Sequence, residues 1–347
     1  MNCNYNRILV VRSGSLGDTL TALPFLKILR KNYPYARIDY LYDANVPTTA
    51  NNILDSTGLI NTFLAYQANG GIFQRISTLI NMYLTLFRRY DLAIVAESQP
   101  YPCKKEIFLR LCLIPHIITP KRILRPVKNT LQLGNTHVSD ALIGLLPQLG
   151  IAILPPLSAD FRYPRSTSLQ EFAEKWIVSK NLTNTKLVAI GPWSNMPLKR
   201  WPLDRYCEVL AELHRKHGII PIIFGGQDES NIADTIISRI GCGVKACGLP
   251  IDRGIALLAK CSFYLGNDTG TMHMAAAAGI KCVAIFSARG PEGRWYPYGS
   301  KHIVLRKNLP CAGCNLRECP EHSMECIMTI TTTQVLQACE SIMYADE

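Results

Sequence analysis

Hydrophobic residues along the chain fall into short β-rich runs separated by stretches of helical spacing. RILVVR (7–12), RIDYLY (37–42), DLAIVA (91–96), LVAIG (187–191), IIPIIF (219–224), CSFYL (261–265) and CVAIF (282–286) predict strands. Apolar positions three and four apart predict helices over 19–31, 74–88, 204–217, 228–240 and 252–260. Nearly continuous apolar strands alternating with amphipathic helices imply parallel sheets covered by helices on both faces. A Pro- and Ser-rich stretch, 153–168, divides two such series and predicts an inter-domain linker. The length of 347 residues also favours two domains. Ligands of open α/β sheets bind beyond the carboxyl ends of the strands, so the strand-to-helix turns are where chemistry is sought.

Composition excludes some classes. With 48% hydrophobic and 18% charged residues, the chain has enough apolar material for a core and is not a disordered polyelectrolyte. The longest apolar runs are broken by charge, as by Arg110 in EIFLRLCLIPHII (106–118), and none reaches the roughly 18–20 residues of a membrane-spanning helix. The first strand begins almost at once, with no basic-then-apolar leader before it, so a cytoplasmic protein is expected. An odd count of thirteen cysteines then fits reduced thiols better than a disulfide framework. The net charge of +11 is uneven: residues 1–150 hold 16 Lys and Arg against 8 Asp and Glu, the remainder 21 against 18. That bias suits either an anionic partner of the first half or a solvated basic face.

Four turns carry candidate chemistry. In VVRSGSLGDTL (10–20), Gly14 and Gly17 let the backbone turn beside a ligand, and Asp18 opens a helix. An aspartate there caps amides as readily as it does chemistry, and Gly14-x-x-Gly17 is not the dinucleotide fingerprint. In GNDTGTMHMAAAAG (266–279), Asp268, Thr269 and Gly270 lead into a helix whose free amides and threonine hydroxyl suit a phosphate. His273 is either a further donor or a satisfied interior histidine, and the alanine run is packing. In GPWSNMPLKRWPLDRY (191–206), Lys199 is either an exposed cation or the charge that offsets a departing diphosphate. In FGGQDESN (224–231), Asp228 or Glu229 is either a ribose ligand or a helix-start acid.

The order and spacing of these blocks resemble glycosyltransferase family 9, the ADP-heptose:lipopolysaccharide heptosyltransferases. The resemblance runs from VRSGSLGDTLTALPFLKILRKNYP through LKRWPLDRY, FGGQDES and GNDTGTMHMAAAAG to GPEGRWYPYG and the tail CAGCNLRECPEHSMECIMTIT. It implies an α/β GT-B fold, two Rossmann-like domains with parallel sheets facing across a central cleft. An acceptor domain would span 1–160 and a nucleotide-sugar domain 161–330, with a helix at 331–347 returning to the first. It implies inverting, metal-independent transfer of a heptose from ADP-heptose to a Kdo-lipid A or heptosyl core acceptor. Asp18, in Ser15-Leu16-Gly17-Asp18, would be the general base. Lys199, Asp268, Thr269, Gly270 and His273 would surround the diphosphate, and Glu229 would contact the ribose. Ser15 and Gly17 would belong to the acceptor loop, and Arg289 or Arg294 would contact donor phosphate or acceptor unless it is simply a surface arginine. No D-x-D pair is present to hold a metal.

Two departures bear on this. Ser13-Gly14 stands where relatives often carry a second small hydroxyl residue, and Phe286-Ser287-Ala288-Arg289 replaces their usual Phe-Gly-x-Thr, leaving the donor sugar open. Cys311, Cys314, Cys319 and Cys326 lie close enough in sequence for a structural zinc, although unligated thiols are the favoured expectation. The basic segment 104–128 would dock on acidic headgroups at the cytoplasmic face of the inner membrane, or else rim a buried helix. A sugar-nucleotide 2-epimerase on the same architecture, a family member using another nucleotide sugar, and a non-catalytic nucleotide-binding protein are the alternatives. No nucleic-acid partner is expected.

Overall fold

A computed structural model describes residues 5–67, 69–97, 104–120, 136–153, 160–320 and 323–344. The chain divides into two compact units, Met1–Phe161 and Arg162–Glu347. Of the expected linker, residues 154–159 lie outside the described residues, as do residues 121–128 of the basic segment.

The first unit runs β1 (Arg7–Val11), α1 (Leu16–Leu20), α2 (Leu23–Asn32), β2 (Arg37–Asp43), α3 (Ala50–Leu54), β3 (Thr62–Tyr66), α4 (Ile72–Leu86), β4 (Leu92–Val95), α5 (Lys104–Leu111), β5 (His116–Ile118) and α6 (Val138–Ile143). Its five strands are parallel, in the order β3-β2-β1-β4-β5. The helix expected over 19–31 is two helices, because the chain turns at Thr21–Ala22 before Pro24 starts the second at a position that needs no backbone donor.

The second unit continues with α7 (Thr167–Ser179), β6 (Leu187–Gly191), α8 (Leu203–His217), β7 (Ile220–Gly225), α9 (Ser230–Ile240), β8 (Val244–Cys247), α10 (Ile251–Leu258), β9 (Phe263–Asn267), α11 (Gly270–Ala278), β10 (Lys281–Phe286), β11 (Ile303–Arg306), α12 (Glu325–Met328) and α13 (Thr332–Tyr344). Its six parallel strands follow the order β11-β10-β9-β6-β7-β8. The terminal helix differs from expectation. Val335, Cys339 and Ile342 of α13 share one buried cluster with Val188, Trp201, Leu210 and Ile285, so this helix is built into the second unit's own core. Trp201 fastens it further, donating its indole N–H to the Ile330 carbonyl at 2.9 Å.

The seven runs read as strands correspond to β1, β2, β4, β6, β7, β9 and β10. The four strands without such a run, β3, β5, β8 and β11, are the four sheet edges. Edge strands stay partly exposed, so selection on them does not produce a continuous apolar run.

Two close approaches hold the centre of the second sheet. A Cβ added to Gly191 would lie 2.1 Å from the Tyr264 hydroxyl, and one on Gly266 would lie 2.3 Å from it. Gly191→Ala is therefore expected to lower unfolding stability by roughly 1–3 kcal/mol through overpacking. In a double-mutant cycle by denaturant titration, adding Tyr264→Phe should recover part of that loss. Strict additivity of the two changes would show that the predicted clash is not felt.

Candidate active site

In each sheet the strand order reverses at one place: between β1 and β4 in the first, between β6 and β9 in the second. Loops leaving adjacent strands in opposite directions open a crevice at such a point, where ligands of open α/β sheets bind. The candidate residues after β1, β6 and β9 fall at these two points.

In the first unit, Arg12 directly follows β1, and its buried guanidinium donates to the Asp18 carbonyl (2.8 Å), the Ala96 carbonyl (2.5 Å) and Thr21 Oγ1 (3.4 Å). Its Nη2 lies 3.9 Å from Asp18 Oδ1. Gly14 adopts φ +131°, and a Cβ there would lie 2.4 Å from the Asp18 Cβ and Cγ, so glycine is needed for the carboxylate to occupy this space. Asp18 is the third residue of α1 and accepts from the Ser15 amide at 3.2 Å, so the capping role open at the sequence level is realised. Its side chain nevertheless keeps 36% of its surface accessible. Burial raises its pKa above the ordinary 3.8, and the Arg12 charge and the Ser15 amide offset part of that rise. Gly17 sits inside α1.

Three residues that the sequence did not single out complete this corner. Lys105 Nζ donates to Glu97 Oε1 (2.8 Å) and Ser13 Oγ (2.9 Å), and Ser13 Oγ also meets the Tyr66 hydroxyl at 2.9 Å. The Ser13 amide reaches Glu97 Oε1 at 3.3 Å. Glu97 and Lys105 bury most of their surface, at 15% and 18% side-chain exposure. Only the apolar run before Glu97 hinted at them, through its placement of that residue at a strand's carboxyl end.

In the second unit, Asn267 ends β9 fully buried. Its Oδ1 accepts from the Trp201 amide (3.2 Å) and the Tyr206 hydroxyl (2.9 Å), while its Nδ2 donates to the Pro192 carbonyl (2.8 Å). One side chain thus ties the loop after β6 to the turn after β9. Lys199 Nζ then meets Asp268 Oδ2 at 2.6 Å, both at less than a fifth exposure. Thr269 is the N-cap of α11 and accepts from the Thr271 amide at 3.1 Å. Gly270 is the first helical residue; other first-turn amides have no intrahelical partner.

His273 is buried and stands edge-on to Trp295, with ring centroids 6.3 Å apart. Glu229 folds back onto its own turn, accepting from the Gly226 amide at 2.8 Å, and burial raises its pKa. The neighbouring Arg200 donates to the Ser194 carbonyl and lies over the Trp193 ring at 3.4 Å. Arg294 is buried in the second unit, and burial lowers its pKa. Arg289 donates to the Asn315 and Leu316 carbonyls, a role in holding the C-terminal loop. The structure therefore brings Lys199, Asp268, Thr269 and Gly270 into one cradle and Ser15, Gly17 and Asp18 into another.

The four C-terminal cysteines are free thiols, and burial raises the Cys326 pKa, with Cys311, Cys319 and Cys314 adding to the rise. No group of three or more His, Cys, Asp or Glu among the described residues is arranged to hold a metal ion. No helix among the described residues is long and apolar enough to cross a membrane.

A family model, glycosyltransferase family 9 (heptosyltransferase), matches residues 157–325. The chain is 24% identical over 366 residues to lipooligosaccharide heptosyltransferase 2 of Haemophilus ducreyi, a match spanning 97% of this chain and 99% of that one. In structure it is similar to a family 9 glycosyltransferase of Veillonella parvula, with a TM-score of 0.76 at 22% identity over 99% of both chains. It is also similar to ADP-heptose lps heptosyltransferase II of E. coli, with a TM-score of 0.72 at 19% identity over 98% and 99% of the two chains. These likenesses establish the fold class as the GT-B type.

The raised pKa of Asp18 has a consequence for stability. A carboxyl whose folded pKa exceeds its unfolded one binds more protons when folded, so ionising it as pH rises weakens the fold. Asp18→Asn is expected to raise the thermal midpoint at neutral pH. The gain should shrink as pH falls through the folded pKa and vanish below about 3.8, the ordinary value. A lower midpoint for the variant at neutral pH would mean that the cap and the Arg12 contact outweigh desolvation.

Proposed function

This chain is a glycosyltransferase of family 9, and from that premise we propose that it moves a heptose from ADP-heptose to a lipopolysaccharide core acceptor with inversion at the anomeric carbon. Heptosyl transfer into lipopolysaccharide is the activity carried at the family level by its relatives. The observation that carries the finer reading is Lys199, held at 2.6 Å by Asp268 beside the N-terminus of α11. An ammonium has three donors; the carboxylate takes one and leaves two for phosphate oxygens. Asp268 itself orients the cation and does not touch the phosphate.

In this mechanism the donor diphosphate lies against Lys199, the Thr269 turn and the remaining first-turn amides of α11, with His273 adding an imidazole N–H. The acceptor hydroxyl attacks the anomeric carbon as the bond to the β-phosphate oxygen breaks. The electron pair of that bond leaves with ADP, and the hydroxyl proton passes to Asp18. Burial makes Asp18 a stronger base than a solvated carboxylate, and the Arg12 charge opposes part of that rise. Charge developing on the leaving oxygen is met by Lys199 and the amides, with no metal invoked. Glu229 contacts the ribose once its bond to Gly226 is shared or exchanged. The acceptor binds the first unit, whose excess of cations suits a phosphorylated glycolipid, with the enzyme peripheral to the cytoplasmic face of the inner membrane.

The test is transfer from ADP-heptose to a truncated core acceptor. Asp18→Asn should keep its fold and its donor affinity while kcat falls about 10²–10⁴-fold. Retained turnover by a folded Asp18→Asn enzyme would remove Asp18 as the base. Transfer from a different nucleotide sugar alone would correct the donor.

A further inference from the structure

Helix α4 (Ile72–Leu86) inverts the usual economy of a surface helix. Of its fifteen residues only Leu86 is buried, whereas Ile72, Phe73, Leu79, Ile80 and Leu84 are 52–86% exposed. A helix covering a sheet normally buries an apolar stripe and shows water its polar face. Here cavities flank the helix: one of about 590 Å³ toward β3, and one of about 300 Å³ toward α5. The second is walled by apolar groups, among them Val11, Met82 and Phe108, and Arg75, Lys104 and Lys105 also contribute to its lining. Leu79 belongs both to this lining and to the exposed face, so the groove and the face are continuous.

We propose that this groove between α4 and α5 receives an acyl chain of the anionic glycolipid acceptor, with Arg75 and Lys104 meeting its phosphate. Three observations select that occupant. The lining is apolar but includes three cationic residues, Arg75, Lys104 and Lys105, which matches an anionic amphiphile better than a neutral apolar molecule. The exposed face of α4 supplies a route from a lipid surface into the groove. Lys105 lines the groove while donating to Ser13 Oγ at 2.9 Å, so the groove reaches the loop that carries Asp18. The identity of the occupant as acceptor rests on the function proposed above; the preference for an anionic chain rests on the first unit alone.

The experiment is calorimetric titration of the full chain with hexyl, octyl and decyl phosphate below their micellar concentrations, with inorganic phosphate and decyl maltoside as controls. Affinity should rise by about fourfold per added methylene and be at least tenfold weaker for the neutral decyl compound. Thr78→Trp, which fills the groove, should flatten the chain-length series, while Phe73→Ser on the open face should leave it intact. Chain-length independence, equal binding of the neutral amphiphile, or a series that survives Thr78→Trp would overturn the groove. Loss of the series in Phe73→Ser but not in Thr78→Trp would do the same and indicate surface adsorption. Concentration-dependent dimers that decyl phosphate does not dissociate would make a second copy the occupant and overturn the proposal.

The titration needs no turnover, so its failure is separable from failure of the transfer reading. A groove that fails while a deacylated acceptor is still glycosylated sinks the acyl site alone. An intact series in a protein that transfers to no acceptor overturns the acceptor as the source of the chain.

Discussion

The cradle at the strand ends of the second unit depends on one buried amide. Asn267 has no contact with solvent, and a primary amide in that position must place both its oxygen and its nitrogen in hydrogen bonds or weaken the fold. It does so by joining the loop after β6, through Pro192 and Trp201, to the turn after β9. Lys199 and Asp268 lie on the two segments so joined, and their ion pair is a consequence of that tie. The neighbouring Trp201 and Tyr206 pack edge-to-face at 4.9 Å, and the Trp201 indole anchors the approach to α13. A single side chain therefore couples the core of the second unit to the geometry of its cradle.

The first unit solves a different problem with the same topology. Burial raises the pKa of a carboxyl, and a nearby cation opposes that rise. Gly14 admits the Asp18 side chain, and the buried Arg12 guanidinium beside it keeps a positive charge in reach. Arg12 is itself satisfied by backbone carbonyls from two segments, so it is fixed in place and not merely nearby. Glu97 and Lys105 close the other side of the loop as a mostly buried pair. Capping does not exclude the proposed role of Asp18 as base: the bond from the Ser15 amide fixes the carboxylate while leaving part of it accessible.

Much of this was legible in the chain because parallel sheets leave a strong trace. Central strands are buried on both faces, and every one of them, from β1 to β10, showed as an apolar run; the half-exposed edges did not. The placement of the turns was equally legible, since Gly14, Asp18, Lys199, Asp268 and Thr269 sit where strands become helices. What a linear reading missed are residues whose role exists only in three dimensions. Asn267 reads as one more polar residue in GND, and nothing in the sequence says that its partners lie 61 to 75 positions away. Glu97 and Lys105 meet Ser13 across 84 and 92 positions. The placement of α13 in the second unit was missed for the same reason: an amphipathic period says that a helix has a buried face, but not which core receives it.

The central claim is that the cradle formed by Lys199, Asp268 and Thr269 seats the nucleotide diphosphate independently of Asp18. Calorimetric titration with ADP tests it most directly, comparing the native chain with Lys199→Met and Asp18→Asn. The account predicts equal affinity for the native chain and Asp18→Asn, and a loss of about ten- to a hundredfold for Lys199→Met, the worth of a hydrogen bond to a charged group. Equal ADP binding by Lys199→Met, or no binding of ADP by the native chain, would contradict it.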